Sequence, residues 1–186
     1  MNEVKKKVFT IGHSNLLLDK FIALIKMHNV DAVVDIRSVP LSRYCPQYNK
    51  ENLRNELIKR SISYIFMGDL LGGRIADPSC YKSRSIPARK VNIAELIDYD
   101  ELLKRNWFQE GIRKLIDLAR SNKVVIMCSE EEPARCHRNL LVGRRLFEQG
   151  YVVEHIRADG KVEAAEALPQ IKMFSKDTTA GPRTFN

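Results

Sequence analysis

The sequence has no apolar run long enough to cross a lipid bilayer, and its first ten residues lack the apolar segment of a secretory signal. Its four cysteines show no short, regular spacing, which argues against a disulfide scaffold. We also find no internal repeat and no low-complexity segment. We therefore expect a cytoplasmic protein with reduced thiols and no membrane partner.

The positive charge of the chain is unevenly distributed. The net charge is +8, and residues 37–90 hold eleven Lys or Arg against four Asp or Glu, which gives +7. The preceding residues sum to +1 and the following ones to 0. A basic segment of this kind favours an anionic small molecule, a nucleotide or a nucleic acid as partner. Many basic proteins bind no nucleic acid, so charge alone is weak evidence, and no particular cofactor is indicated.

Apolar runs and helical periodicities alternate along the chain. Short apolar runs predict five strands, at Lys7–Ile11, Asp31–Ile36, Ile62–Phe66, Val124–Met127 and Tyr151–Ile156. Helical spacing predicts helices over residues 19–28, 49–60 and 98–121, the last broken near Asn106, and one from Cys136 to Gly150. The alternation predicts a three-layer α/β fold with about five mostly parallel strands and helices on both faces. We expect the strand order 3-2-1-4-5, with a crevice at the carboxyl ends of strands 1 and 4.

The length of 186 residues suits one α/β domain better than two. We assign residues 1–160 to this domain and treat residues 67–98 as a basic loop insertion within it, because they show no clear periodicity. From Lys161 we expect a short helix that packs through Ala164, Ala167 and Leu168, followed by a loose tail up to Asn186.

The stretch from Val124 to Arg138 carries the strongest functional signal. Its apolar strand delivers Cys128 to a polar loop, and Cys136, His137 and Arg138 follow in the first turn of the next predicted helix. Unpaired N–H groups and the helix dipole make such a junction a suitable anion site. Alternatively, Cys128 is a small buried hydrophobic residue and the arginines of this stretch are solvated surface charge.

Other polar residues follow the ends of other predicted strands, where the fold brings them to one edge of the sheet. We expect catalytic roles for His13, Asp35, Cys128 and Glu130. Ligand or anion binding is expected for Ser14, Arg37, Arg43, Gly72, Gly73, Arg135, Cys136, His137 and Arg138. For Asp35, a structural carboxylate paired with Arg37 is nearly as good an explanation.

Four motifs stand out along the chain: T-I-G-H-S-N at Thr10–Asn15, D-I-R-S-V-P-L-S-R at Asp35–Arg43, L-G-G at Leu71–Gly73, and C-x-E…C-H-R at Cys128–Arg138. Together they resemble the domain of unknown function 488 family. They occur in the family's order, and the resemblance extends from about Lys7 to Ile156. It implies an α/β domain of bacterial and archaeal proteins whose biochemical activity is not established, so it supports the fold and the site residues but supplies no reaction.

An enzyme with a Cys128 thiolate nucleophile and a phosphorylated or nucleotide-like substrate is the first hypothesis. His13 or His137 would shuttle protons, and Glu130 or Asp35 would act as general acid or base. The loop differs from the Cys-x5-Arg loop of cysteine phosphatases, because six residues separate Cys128 from the next arginine. Three of those six are glutamates and none is glycine, which argues against a phosphatase.

Two alternatives remain open at the level of sequence. Cys128, Cys136 and His137, with His13 or Glu130, could bind zinc or iron with an open position, although the spacing C-x7-C-H matches no standard zinc signature. A module without catalysis could instead bind nucleic acid or nucleotide through the basic residues 37–90.

Overall fold

A six-stranded sheet with the order β3-β2-β4-β1-β5-β6 forms the centre of the protein. The computed structural model describes residues 6–87 and 93–165. The strands are β1 Lys7–Gly12, β2 Ala32–Asp35, β3 Ser63–Phe66, β4 Val124–Cys128, β5 Val152–Ile156 and β6 Val162–Ala164. Neighbouring strands are parallel except for the antiparallel pair β5 and β6.

Helices connect the parallel strands, as crossovers between them require. The α-helices are α1 Leu18–Met27, α2 Lys50–Ile58, α3 Gly68–Leu71, α4 Ile93–Leu96, α5 Tyr99–Leu103, α6 Asn106–Ser121 and α7 Arg144–Glu148. Short 3₁₀ helices cover Pro46–Tyr48, Pro78–Cys80 and Pro133–Arg135, and a π-helix covers Arg138–Gly143.

The sheet is covered on both faces, which confirms the predicted three-layer α/β fold. Successive strand residues point to opposite faces, so Val33 and Val34 belong to different core clusters. One cluster includes Phe21 of α1 and Leu53 of α2. The other contains residues of α3, α5, α6, the π-helix and α7, with Phe108 of α6 almost completely buried.

The strand order differs from the predicted 3-2-1-4-5 in one exchange, because β4 lies between β2 and β1. Both orders keep β1 and β4 adjacent, and short crossover helices are compatible with either. The five residues of β4 are all buried, as expected for the central strand of a parallel sheet. The exchange places Asp35 directly beside Met127, so β2 ends next to the strand that carries Cys128.

The prediction of a helix from Lys161 is wrong, because Val162–Ala164 forms strand β6 against β5. The segment starts after a turn at 158–160, where Gly160 has a φ of 91°. A short antiparallel strand after a tight turn pairs with the main-chain N–H and C=O groups at the open edge of β5. The predicted contacts of Ala167 and Leu168 and the predicted loose tail lie outside the described residues.

Residues 67–98 contain more regular structure than the predicted loop insertion, within the part that the structure describes. Helix α3, a 3₁₀ turn and α4 lie here, and Tyr81 pairs with Ile97 through an isolated bridge. Cys80 and Tyr81 are buried in the main core cluster. The segment therefore packs on the sheet domain, and the division of the chain at residue 160 stays a prediction.

Membrane-spanning structure is not found among the described helices. Within residues 6–87 and 93–165, none combines the length and the apolar character that a transmembrane helix requires.

Gly12 allows the loop after β4 to pass directly over the end of β1. A Cβ atom at this position would lie 1.9 Å from the carbonyl oxygen of Glu130, a main-chain atom that cannot rotate away. We expect Gly12→Ala to lower the free energy of unfolding by about 3 kcal/mol, because the loop must move to admit the methyl group. Urea denaturation measures the change.

Gly150→Ala is the matched control, because Gly150 has a φ of 83° but no atom of the described residues within 4 Å of the added Cβ. Backbone strain alone is expected there, at a cost of about 1 kcal/mol. Equal losses in the two variants would contradict the close contact at Gly12.

Candidate functional site

The carboxyl ends of β2, β4 and β1 lie side by side, and the predicted site residues follow them. Gly12 is in register with Cys128, and Asp35 is in register with Met127. The main-chain N–H of His13 donates to the carbonyl of Cys128 at 2.9 Å. Segments that are distant in the sequence therefore converge at this edge of the sheet, as expected.

Two sulfur atoms and one imidazole nitrogen meet at the end of β4. The ligand atoms of Cys128, Cys136 and His137 all lie within 4.8 Å of one another, and we call these residues the Cys/His cluster. The Nδ1 atom of His137 lies 3.6 Å from the sulfur of Cys128 and 3.8 Å from that of Cys136. Both cysteines are buried, whereas His137 is half-buried.

The imidazole of His137 is oriented by contacts from two other segments. Its Nε2 atom lies 3.1 Å from the carbonyl oxygen of Ile36, just after β2. Because a carbonyl oxygen only accepts, Nε2 carries the proton and Nδ1 faces the two sulfurs. A Cβ atom on Gly73 would lie 2.8 Å from the ring, so a glycine is needed there. Gly73 therefore positions the imidazole.

The two thiols of the cluster differ in acidity, and Cys128 is the more acidic. A hydrogen bond from the Cys136 thiol and the nearby His137 imidazole hold the pKa of Cys128 well below its ordinary value, against the effect of burial. Burial and the neighbouring Cys128 raise the pKa of the Cys136 thiol. Burial opposes protonation of His137, but the attraction of Cys128 outweighs it and raises the pKa of the imidazole.

Asp35 and Arg37 form a closed, buried network beside the cluster. The Arg37 guanidinium donates from Nε and Nη2 to the two Asp35 oxygens at 2.9 and 2.6 Å, and Tyr64 donates to the same carboxylate at 2.7 Å. Arg37 also donates to the carbonyl of Tyr48 at 2.7 Å. The geometry therefore matches the alternative of a structural pair.

His13 is held in the same network. Its Nδ1 donates to the carbonyl of Ser14 at 2.9 Å, and its Nε2 accepts from Arg37 at 3.1 Å. The ring stacks on Tyr48 with 4.0 Å between the centroids. Burial and the Arg37 charge lower the pKa of His13 to about 4, so the neutral ring has both nitrogens engaged. This arrangement positions the turn after β1 and leaves no lone pair for proton transfer.

Arg138, which we expected to bind an anion, lies completely buried. Its Nε donates to Thr10 at 3.2 Å, and its two terminal nitrogens donate to the carbonyls of Glu130 and Glu131. The guanidinium therefore fixes the loop between Cys128 and Cys136. It follows a 3₁₀ turn and opens a π-helix, where the sequence pattern predicts an α-helix.

The remaining predicted residues lie at the surface around the cluster. Glu130 and Arg135 are exposed on the loop after β4, and Arg43 is exposed on the loop after β2. Ser14 has a φ of 44° and donates its main-chain N–H to the carbonyl of Ser129. Among the described residues, Arg43 and Arg135 have no side-chain partner. Gly72 packs against Ser38 and the carbonyl of Gly68.

The positive charge of segment 37–90 is partly paired in the part of the segment that the structure describes. Many of its charges have partners, such as Asp35 for Arg37, Glu51 for Arg54, Glu56 for Lys59 and Arg60, and Asp98 for Arg84. Lys50 lies 4.1 Å over the ring of Phe66. Arg43 and Arg74 stay unpaired among the described residues, while Arg89 and Lys90 lie outside them. Nucleic-acid binding through this segment stays a prediction.

Several groups in the site were not selected from the sequence, because no strong sequence pattern marks them. The Ile36 oxygen belongs to the main chain, and Thr10 and Tyr64 lie within strands as ordinary strand residues. Thr10 belongs to the first motif, so its position in that motif was the available signal. Tyr64 could be found only once β3 was known to lie beside β2.

The fold and the site define a class of protein: a three-layer α/β protein with a Cys/His cluster at the carboxyl end of its central strand. The family model Domain of unknown function DUF488 matches residues 17–144, more than half of the chain. The chain belongs to this family, and the matched range includes the Asp35–Arg43, Leu71–Gly73 and Cys128–Arg138 motifs. No curated protein and no solved structure matches the chain.

Two buried neutral histidines are expected to weaken the fold in mild acid. Burial and nearby arginines lower the pKa of His13 to about 4 and that of His155 to about 3. In the unfolded chain a histidine binds a proton below about pH 6.5, whereas in the folded protein these two histidines stay neutral at that pH. Stability is therefore complete above that pH and decreases towards the folded pKa values.

We expect each of these histidines to reduce the free energy of unfolding by about 2 kcal/mol between roughly pH 6.5 and 4.5. Urea denaturation of the wild type and of His155→Gln at several pH values measures the slopes. The variant should lose about half of the acid-induced decrease. Identical slopes in the two proteins would contradict a neutral His155. His137 has a raised pKa, so its stabilisation is present in acid and does not cause the loss.

Proposed function

We propose that this protein is an enzyme for an anionic substrate and that the Cys/His cluster binds its catalytic metal ion. The observation that carries the proposal is the convergence of two sulfurs and one imidazole nitrogen within 4.8 Å. For zinc bonded at about 2.3 Å to sulfur and about 2.0 Å to nitrogen, tetrahedral geometry separates S and N by about 3.5 Å. The distances from His137 Nδ1 to the sulfurs of Cys128 and Cys136 are 3.6 and 3.8 Å.

The surroundings of His137 support metal binding. A metal-bound histidine usually donates its other N–H to a carbonyl or carboxylate, which fixes the tautomer and the ring orientation. The carbonyl oxygen of Ile36 occupies that position at 3.1 Å. Gly73 on the other side of the ring restricts its rotation. The imidazole is therefore oriented before any metal arrives.

Three protein ligands suit a catalytic site better than a structural one. Structural zinc sites have four protein ligands, whereas catalytic sites use three and leave a position for water or substrate. Within the described residues, no fourth His, Cys, Asp or Glu joins the cluster. A bound metal in such a site polarises a substrate oxygen or acidifies a water molecule.

Other side chains provide attraction and proton transfer at the surface. Arg43 and Arg135 are exposed at the same edge of the sheet and have no side-chain partner among the described residues, so they can attract an anion. Glu130 is exposed on the loop between the two cysteines, where its carboxylate can accept a proton from the substrate. Asp35, Arg37 and His13 hold the backbone around the metal ligands.

Metal content tests the proposal directly. We expect protein purified without chelators to contain about one equivalent of zinc or iron per chain, measured by mass spectrometry of the elements. Cys128→Ser, Cys136→Ser and His137→Ala should each reduce the bound metal at least tenfold. Cobalt added to the metal-free wild type should give the absorption bands of cobalt–thiolate bonds.

Cys45→Ser is the matched control, because Cys45 is a half-buried thiol outside the cluster. Circular dichroism verifies that each variant is folded. A folded wild type that neither contains metal nor takes up zinc or cobalt would disprove the metal site, as would metal loss in Cys45→Ser alone.

A metal-free thiolate enzyme is the second candidate, favoured by the lowered pKa of Cys128. It predicts that iodoacetamide at neutral pH alkylates Cys128 much faster than Cys45 and that excess zinc gives no protection. The metal site predicts the opposite effect of zinc. Peptide mapping of the alkylated protein separates the two.

A further inference from the structure

A cleft of about 400 Å³ opens beside the Cys/His cluster, within the size range of small-molecule sites. Its walls come from the loop after β2, the segment after β3 and the first turn of α6. Its lining includes Ser38, Asp69, Gly72, Arg74 and Trp107, and we call it the Trp107 cleft. Gly73, next to its wall, touches the ring of His137, so the cleft and the cluster share one segment.

The walls of the Trp107 cleft combine three kinds of groups. Trp107, the single tryptophan of the chain, presents a half-buried indole. Arg74 is exposed, and its guanidinium has no hydrogen bond or ion pair among the described residues. Ser38 accepts the main-chain N–H of Arg74 at 2.9 Å, which leaves the hydroxyl proton available to a ligand.

The charges of the cleft are suited to a ligand with an anionic group and hydrogen-bond donors. Asp77, on the same wall, is neutralised by Arg105 at 3.0 Å. Asp69 and Arg74 have no such partner in the part of the chain that is described. Gly72 keeps the wall between them open, because a Cβ atom there would lie 2.3 Å from both the Ser38 hydroxyl and the Gly68 carbonyl.

We propose that the Trp107 cleft binds a nucleoside monophosphate, which deepens the proposed function and rests on it for the identity of the neighbouring metal centre. The planar base stacks on the indole of Trp107, as bases do on exposed aromatic rings. The guanidinium of Arg74 binds the phosphate with the fork geometry that suits its oxygens. Asp69 accepts hydrogen bonds from the ribose hydroxyls.

Quenching of Trp107 fluorescence reports binding without any label. The metal-loaded protein is titrated with AMP, GMP, CMP and UMP, with the corresponding nucleosides, and with inorganic phosphate. We expect saturable quenching by at least one nucleotide and at least tenfold weaker binding of its nucleoside, because a charge-assisted phosphate contact is lost. Inorganic phosphate should give no saturable quenching.

Arg74→Gln should weaken nucleotide binding at least tenfold, to the level of the nucleoside. Arg113→Gln is the matched control, because Arg113 is an exposed arginine of α6 outside the cleft walls. It should bind nucleotides like the wild type. Trp107→Leu lacks the tryptophan whose fluorescence reports binding, so its nucleotide affinity is measured by calorimetric titration. We expect its affinity to fall by the same factor as that of Arg74→Gln.

Three results would overturn the assignment: no saturable quenching by any nucleotide, equal affinity of nucleotide and nucleoside, or unchanged affinity in Arg74→Gln. Metal content measured on the same samples separates this failure from failure of the metal centre. Absent nucleotide binding with one metal per chain rejects the cleft alone. Nucleotide binding without any metal uptake rejects the centre alone.

Discussion

The candidate site depends on the hydrogen bonds of the buried Arg138 guanidinium. It lies inside the protein without a carboxylate partner among residues 6–87 and 93–165, and it is satisfied by Thr10 and by the carbonyls of Glu130 and Glu131. A buried cation is tolerated only when its hydrogen bonds are made, so these contacts fix the path of the loop. Because the loop is fixed, Cys136 and His137 return to the end of β4 and meet Cys128. The arginine thus contributes to the site through the main chain.

A buried ion pair fixes the other side of the site. Asp35 and Arg37 bind each other, and Arg37 also holds His13 and the carbonyl of Tyr48. This network joins the ends of β2 and β1, which flank β4 on its two sides. The cluster therefore lies between two rigid supports, a condition that fixed ligand geometry requires. The catalytic roles predicted for His13 and Asp35 stay predictions.

The layers of the fold were predictable because they follow from hydrophobic periodicity, which is local. The two-sided apolar strands of the centre and the stripe of α6 are visible in the sequence itself. The position of β4 in the sheet was not predictable, because two strand orders are compatible with the same connections. Burial of both faces favours a central position for β4 but does not distinguish the two orders. Strand β6 was missed because three residues carry too little pattern to separate strand from helix.

The members of the site were predicted better than their roles. Position after a strand selected His13, Asp35 and Cys128, and position in the first turn of the next helix selected His137; the structure places all four at one edge of the sheet. Roles depend on which lone pairs and protons are still free, and only the contacts reveal that. Arg138 illustrates the limit, since nothing in C-H-R distinguishes a guanidinium that faces solvent from one that faces the carbonyls of Glu130 and Glu131.

The parallel arrangement of β1, β2 and β4 also has a kinetic consequence. His137 reaches Ile36 across 101 positions of the chain, and Arg138 reaches Thr10 across 128. Contacts between such distant segments form late in folding, because the entropy cost of closing a long loop comes before the stabilisation that the contacts provide. During synthesis the strand that carries Cys128 emerges well after its two flanking strands. The thiols of a nascent or partly folded chain are therefore exposed to solvent before the site exists, and reducing conditions protect them during that interval.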